Sequence, residues 1–376
     1  MALPQFVVLS SIDWDAAWQR HQAFAAQLAQ AGHEVFFVEN SGLRNPGPRD
    51  LARVWRRARR AFCPRPPRKD TPSNLRIVAP LLLPPTWPAF RRLNARLFVP
   101  RLMTRLQAMG LRPGPIVMAY LPNATTLELL DRLSPALTVY DCVDNFHGLP
   151  SPPRDLAELE RRLLDRSDLV LTTSRTLFAE KSKRHSRVRE LHHGVSADFF
   201  IAPPESPGYR KLCYYGTLWR ALDYAPVKAL AEAGFEVTLI GPQKEPPPPL
   251  PDRVCLLPAM DHSLLPQALA GQDVLLLPYA DDEYNHGVIP AKIYECLATG
   301  RPVVASPLPA LEPLRDALYT AKTPSDWVEI VRALPQTENA ERRETRLRLA
   351  REHAEERCFS LLQKEIKEAC GLRARV

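Results

Sequence analysis

What this 376-residue chain lacks narrows it first. No apolar run approaches the roughly 18–20 residues needed to cross a bilayer, so no spanning helix is expected. The opening stretch, Met1 to Ser10, has no basic region and no small-residue cleavage site, so secretion is not expected. The seven cysteines are scattered and form no C-x-x-C pair. An odd, dispersed set fits free thiols in a reducing cytosol better than disulfides or zinc. There is no P-loop, no G-x-G-x-x-G, no G-x-S-x-G and no H-E-x-x-H, which removes most nucleoside triphosphatases, ordinary NAD enzymes, esterases and zinc proteases. The His192-His193 pair has no carboxylate or cysteine at ligand spacing, so hydrogen bonding is its expected role and no metal is expected.

What is present is a globular composition, 45% hydrophobic and 24% charged, with 39 prolines, about twice the usual share. The net charge of +8 is unevenly spread: residues 1–200 carry +11 and residues 201–376 carry −3. Such asymmetry points to two domains with different partners, the first drawn to something anionic. The excess concentrates in 44–69, where ten Lys/Arg face one acid, and in 87–106. In the first, Leu51, Trp55, Ala58 and Phe62 fall at helical spacing beside Arg53, Arg56, Arg57 and Arg60. In the second, Phe90, Leu93 and Leu97 accompany Arg91, Arg92, Arg96, Arg101 and Arg105. One reading is a surface helix packed on a sheet, and another is contact with an anionic membrane surface. Nucleic acid is not expected, because stacking platforms and recognition motifs are missing.

Strand and helix patterns alternate along most of the chain. Phe6–Leu9, a helix over 15–31 ended by Gly32, and 34–38 make a strand–helix–strand unit, hence a parallel sheet. Further strands are expected at 116–120, 137–140, 169–172 and 188–191. After a proline-rich break at 201–209 they resume at 212–215, 236–240, 254–257, 274–277 and 302–305. The last sixty residues read as helical. The expectation is α/β: two doubly wound Rossmann-like domains facing a cleft, divided as 1–203 and 204–353, with a C-terminal helix over 354–376 returning to the first.

Ligands of such sheets bind at the carboxyl ends of the strands. After 274–277 comes Tyr284-Asn285-His286-Gly287-Val288-Ile289-Pro290-Ala291-Lys292-Ile293-Tyr294-Glu295. Pro290 suits a first helical position, and free amides there would form an anion site. Lys292 and Glu295, three apart, share a face. A cation for phosphates beside a carboxylate for sugar hydroxyls suits a nucleoside diphosphate, while an exposed Lys–Glu helix pair is the plainer alternative. In the first half, Asp141, Asp144 and His147 follow a strand end and are candidates for a base that deprotonates an acceptor hydroxyl. As the plainer alternative, Asp141 caps a turn and Asp144 opens a helix.

Pro290-x-Lys292-x-x-Glu295-x-x-Ala298-x-Gly300-x-Pro302-Val303-Val304 resembles the donor-site signature of GT-B glycosyltransferases of the glycosyltransferase 4-like group, nearest to the TuaH-like transferases of envelope polysaccharides. Gly194-Val195 with Phe199, Gly216-Thr217-Leu218 and Gly241-Pro242 agree in order. The opening segment and Val139-Tyr140-x-x-x-Asp144 resemble the xanthan glucuronosyltransferase. That enzyme inverts configuration and the larger group retains it, so stereochemistry stays open.

The resemblance implies a nucleotide-sugar donor (UDP-, GDP- or dTDP-linked), a saccharide or lipid-linked acceptor, and neither cofactor nor metal. Glu295 would bind ribose, and Lys292, Arg220, Asn285 and the amides of Gly287, Val288 and Ile289 would hold the diphosphate. Gly216 and Thr217 would approach the phosphates and Met260 would line the base. Asp144 is the first choice as catalytic base, ahead of Asp141 and His147, and Ser11, Asp13 and Arg20 would wall the acceptor side. The group usually carries a glutamate where this chain has Gly287. A sugar-nucleotide 2-epimerase of the same fold and a non-catalytic nucleotide-sugar-binding protein are the alternatives.

Overall fold

The computed structural model describes residues 3–40, 71–85, 87–149, 151–204 and 208–373. The basic segment expected over 44–69 lies outside the described residues. The chain divides into two compact units, Met1–Leu191 with Leu361–Val376, and His192–Ser360.

The first unit holds a seven-stranded sheet: β1 (Phe6–Leu9), β2 (Val35–Val38), β3 (Leu75–Val78), β4 (Ile116–Ala119), β5 (Leu137–Cys142), β6 (Leu169–Thr172) and β7 (Val188–Glu190). Its order is β3-β2-β1-β4-β5-β6-β7 with every pairing parallel. Apolar runs such as Phe6-Val7-Val8-Leu9 are buried along their whole length, as strands covered by helices on both faces must be. The order reverses between β1 and β4, so the loops leaving those two strands form the natural ligand position.

The helix expected over 15–31 begins only at Arg20 and runs to Gln30. The physical reason lies ahead of it. Trp14 is buried edge-to-face on Phe37 at 4.9 Å, and its amide donates to Glu39 Oε1 at 2.9 Å, so the chain curls before Gln19 and Gln22 close a capping box. Gly32 follows that helix at φ +92°, a left-handed conformation that suits glycine. The segment 87–106 is helical in three pieces, Pro88–Leu93, a π-helical turn Asn94–Phe98, and Val99–Ala108.

The second unit holds β8 (Lys211–Tyr215), β9 (Glu236–Ile240), β10 (Val254–Leu257), β11 (Val274–Leu277), β12 (Val303–Ala305) and β13 (Tyr319–Thr320). These run β10-β9-β8-β11-β12-β13, again all parallel, with the reversal between β8 and β11. Two strands escaped the sequence pattern. β3 is only four residues long and carries Arg76 within its apolar run, and β13, within the stretch read as purely helical, is only two residues long. At the carboxyl ends of β8 and β9 the backbones nearly touch. A Cβ on Gly241 (φ +150°) would overlap the carbonyl of Gly216, so only glycine fits there.

Candidate functional site

The loops leaving β8 and β11 gather the residues expected to bind a ligand. The helix read as starting at Pro290 begins at Ile293 instead, with Lys292 as its N-cap residue and a tight turn ahead of it. That turn still sets Lys292 and Glu295 on neighbouring positions. Lys292 Nζ donates to the hydroxyls of Tyr214 at 3.1 Å and Tyr279 at 3.2 Å. It also lies 4.3 Å from the Tyr214 ring centre and 5.6 Å from those of Tyr215 and Tyr279. Burial works against its charge, but the surrounding phenols prevail and shift its pKa upward, so Lys292 is a cation at neutral pH. Gly216, at φ +130°, leaves the room this ammonium occupies, since a Cβ there would collide with it.

Glu295 is held by two donors. The Tyr215 hydroxyl reaches Oε2 at 2.9 Å, and His262 Nε2 lies 2.8 Å from Oε1. His262 was not foreseen: it follows Asp261, which caps the short turn His262–Leu264, and 33 residues separate it from Glu295. Burial opposes a proton on His262, but its bond to Glu295 and the charges of Glu295, Glu355 and Asp261 outweigh that and raise its pKa.

The neighbouring positions divide by exposure. Arg220 is exposed and stacks near Trp219 at 5.5 Å, Thr217 is half-buried, and Met260 packs against the second unit's core. Asn285 is buried, and its side-chain amide donates to the carbonyls of Ala221 and Ala280. That amide ties the loop together, which gives Asn285 a scaffolding place. Gly287 ends an unforeseen one-turn helix, Glu283–Gly287, capped by Asp282; Val288 and Ile289 after it are buried.

In the first unit, Asp144 and Asn145 follow β5, and Asn145 caps the short turn Phe146–Gly148. Asp144 is half-buried. His147 Nε2 lies 2.6 Å from Glu160 Oε2, and this bond is the main cause of a raised His147 pKa. Glu160 also accepts from Tyr140 at 2.7 Å and from Lys181 at 2.8 Å. Burial pushes Glu160 up, yet His147 and Lys181 pull harder and hold it down at about 2. This network was invisible in sequence, because its members lie on four separate elements. His147, Glu160 and Glu180 bring one ligand atom each within 4.8 Å of the others, a grouping of the kind that binds metals. Lys181 Nζ already sits 2.8 Å from Glu160 and 2.9 Å from Glu180, so a positive charge is in place there.

Asp141 and Arg20 correct the sequence reading. Both side chains are closed to solvent and joined, Arg20 Nε to Asp141 Oδ2, at 2.7 Å, and Arg20 Nη1 donates to the Leu191 carbonyl at 2.7 Å. A carboxylate shut in with its counter-ion holds β5 to the helix Arg20–Gln30 and cannot meet an incoming hydroxyl. Of the expected acceptor wall, Ser11 and Asp13 are half-buried at the exit of β1. Ser11 Oγ pairs at 2.8 Å with His21 Nε2, whose pKa burial and then Arg20 drive down to about 3, so that imidazole is neutral.

No protein-family model matches the chain. TuaH of Bacillus subtilis (strain 168), assigned as a teichuronic acid biosynthesis glycosyltransferase, is 28% identical over 203 residues, which cover 46% of this chain and 51% of TuaH. The match thus spans about half the length of that relative. Among solved structures, sucrose-phosphate synthase from Thermosynechococcus elongatus superposes with a TM-score of 0.69 at 15% identity, covering 97% of this chain and 98% of that one. HepE of Anabaena in complex with UDP-glucose gives 0.69 at 10% identity, with 97% and 100% covered. The fold is that of the GT-B glycosyltransferases. A further structure, from E. coli and bound with UDP-2-fluoro glucose, gives 0.63 at 15% identity, covering 97% of this chain and 99% of its own.

Proposed function

We propose that the protein is a glycosyltransferase that moves a sugar from a nucleoside-diphosphate sugar to an envelope polysaccharide or a lipid-linked saccharide, without a metal. The observation that carries this reading is the Lys292–Glu295 pair at the exit of β8 and β11, a caged cation beside a doubly held carboxylate. Support comes from TuaH and from GT-B structures solved with UDP, UDP-glucose or a UDP-fluorosugar. In this reading Lys292, with Arg220 and the backbone at Gly216, Gly287, Val288 and Ile289, stabilises the departing diphosphate, the role a metal plays elsewhere. Glu295 binds the ribose, Thr217 and Met260 line the nucleotide, and Ser11, Asp13 and Asp144 meet the acceptor. The alternatives, an epimerase and a non-catalytic binder, share the donor site but transfer nothing to an acceptor.

Lys292→Ala and Glu295→Ala are each expected to weaken nucleoside diphosphate binding by about 1.5–3 kcal/mol, the worth of a hydrogen bond to a charged group. Calorimetry with UDP, GDP and dTDP, with and without EDTA, measures this. Unchanged affinity in both variants rules the assignment out, and affinity lost in EDTA rules out the metal-free site.

The acceptor side adds an anionic membrane, on the cytoplasmic face. Among the described residues no helix is long and apolar enough to cross one. Between Trp87 and Ala108 the inner face is buried at Asn94, Val99, Leu102 and Leu106. The outer face exposes Trp87 (55%), Leu93 (38%) and Leu97 (42%) among exposed Arg92, Arg96 and Arg101. Apolar groups interleaved with arginines suit a shallow, charge-assisted contact with anionic headgroups. The protein is expected to sediment with phosphatidylglycerol vesicles at low salt and to be released by high salt. Leu93→Glu with Leu97→Glu should abolish sedimentation; if the wild type ignores such vesicles, the acceptor is a soluble saccharide.

A further inference from the structure

We propose that His262 is a positioning residue for nucleotide recognition, holding Glu295 so that two of its lone pairs face the 2′ and 3′ hydroxyls of a ribonucleoside diphosphate. The inference rests on the donor reading above and adds to it a residue and a preference for ribose over deoxyribose. A carboxylate offers about four lone-pair positions. Tyr215 takes one on Oε2 and His262 one on Oε1, which leaves one on each oxygen, the number a vicinal diol needs. Tyr215 is the last residue of β8, so it fixes one oxygen from the sheet. His262 fixes the other from the loop after β10, with the Phe199 ring 5.1 Å away on its flank.

His262 also balances charge. Glu295 from the helix Ile293–Ala298, Glu355 from the helix Glu355–Arg373 and Asp261 from its own loop all act on it. Glu355 is brought close by backbone bonds of Val195 to His353 at 2.9 Å and of Glu355 to Val195 at 3.0 Å, over Gly194, where a Cβ would meet Glu355 at 3.0 Å. Burial raises the pKa of Glu355, and Glu295 adds to that rise against the opposing charge of His262. An anionic diphosphate arriving beside these carboxylates is favoured when His262 carries its proton. Affinity should therefore fall as pH rises through the titration of His262.

The test is calorimetry with UDP and GDP, each against its 2′-deoxy form, across the histidine pH range. His262→Ala is expected to lose about tenfold in affinity for the ribonucleotide, the scale of one charge-assisted hydrogen bond, and much of its preference over the deoxy form. His262→Gln, which keeps a nitrogen donor for Glu295, should retain affinity and preference at neutral pH while losing the pH dependence. That rescue separates positioning from a folding defect. If His262→Ala binds and discriminates as the wild type does, the inference fails and the donor reading stands. If the wild type binds neither UDP nor GDP, both fail.

Discussion

Asp144→Ala is expected to lower sugar transfer by about 10²–10⁴-fold while donor affinity stays unchanged, which is the range a positioned general base contributes. Three groups at or after the end of β5 were open to this role, and their surroundings differ. Asp141 is shut in with Arg20 and meets no substrate. His147 has its Nε2 engaged with Glu160 Oε2, so only its other nitrogen is available to a proton. Asp144 lies between them in the chain, half-buried just past the end of β5. A single base that removes the acceptor proton during one displacement goes with inversion, so the product anomer read by NMR belongs to the same experiment. His147→Asn is the comparison, with a smaller expected loss through loosening of the Tyr140–Glu160–Lys181 network. Wild-type transfer rates in Asp144→Ala together with a collapse in His147→Asn would move the base to His147. A wild-type protein that binds donor and transfers nothing would instead support the non-catalytic binder.

The difference between the candidate residues of the two units bears on what sequence can reveal. The repeating apolar runs made the parallel sheets legible, because strands covered on both faces must be apolar throughout. The closeness of Lys292 and Glu295 was legible too, because they belong to one turn and their spacing alone sets them together. Boundaries were lost where tertiary contacts took over from local pattern. Trp14 turned in on Phe37 and shortened the helix before Arg20, and the turn at Ala291–Lys292 moved the helix start past Pro290. Partners far apart in the chain were out of reach altogether. His262 meets Glu295 across 33 residues, and Arg20 meets Asp141 across 121; neither residue type in isolation announces the other. The same blindness made a buried ion pair look like two functional groups, since an Arg and an Asp carry the same letters in either role.

That pair carries the second large effect. Arg20→Met is expected to destabilise the first unit by about 3–5 kcal/mol, because it leaves the Asp141 carboxylate buried without its counter-ion. The cost exceeds that of a surface pair, since neither side chain here sees solvent. Arg20 also holds the carbonyl of Leu191 at 2.7 Å and covers the ring of Phe24 at 4.5 Å, so its loss loosens β5, the helix Arg20–Gln30 and the exit of β7 together. Asp141→Leu alone should cost comparably by stranding the guanidinium. The double replacement, Arg20→Met with Asp141→Leu, should recover a large part of either loss, because swapping a buried pair for apolar groups of similar size is often nearly neutral. Urea denaturation followed by circular dichroism measures all three. A single-variant loss below about 1 kcal/mol would mean that water reaches the pair. Asp141 would then return as a candidate for the acceptor's base, beside Asp144.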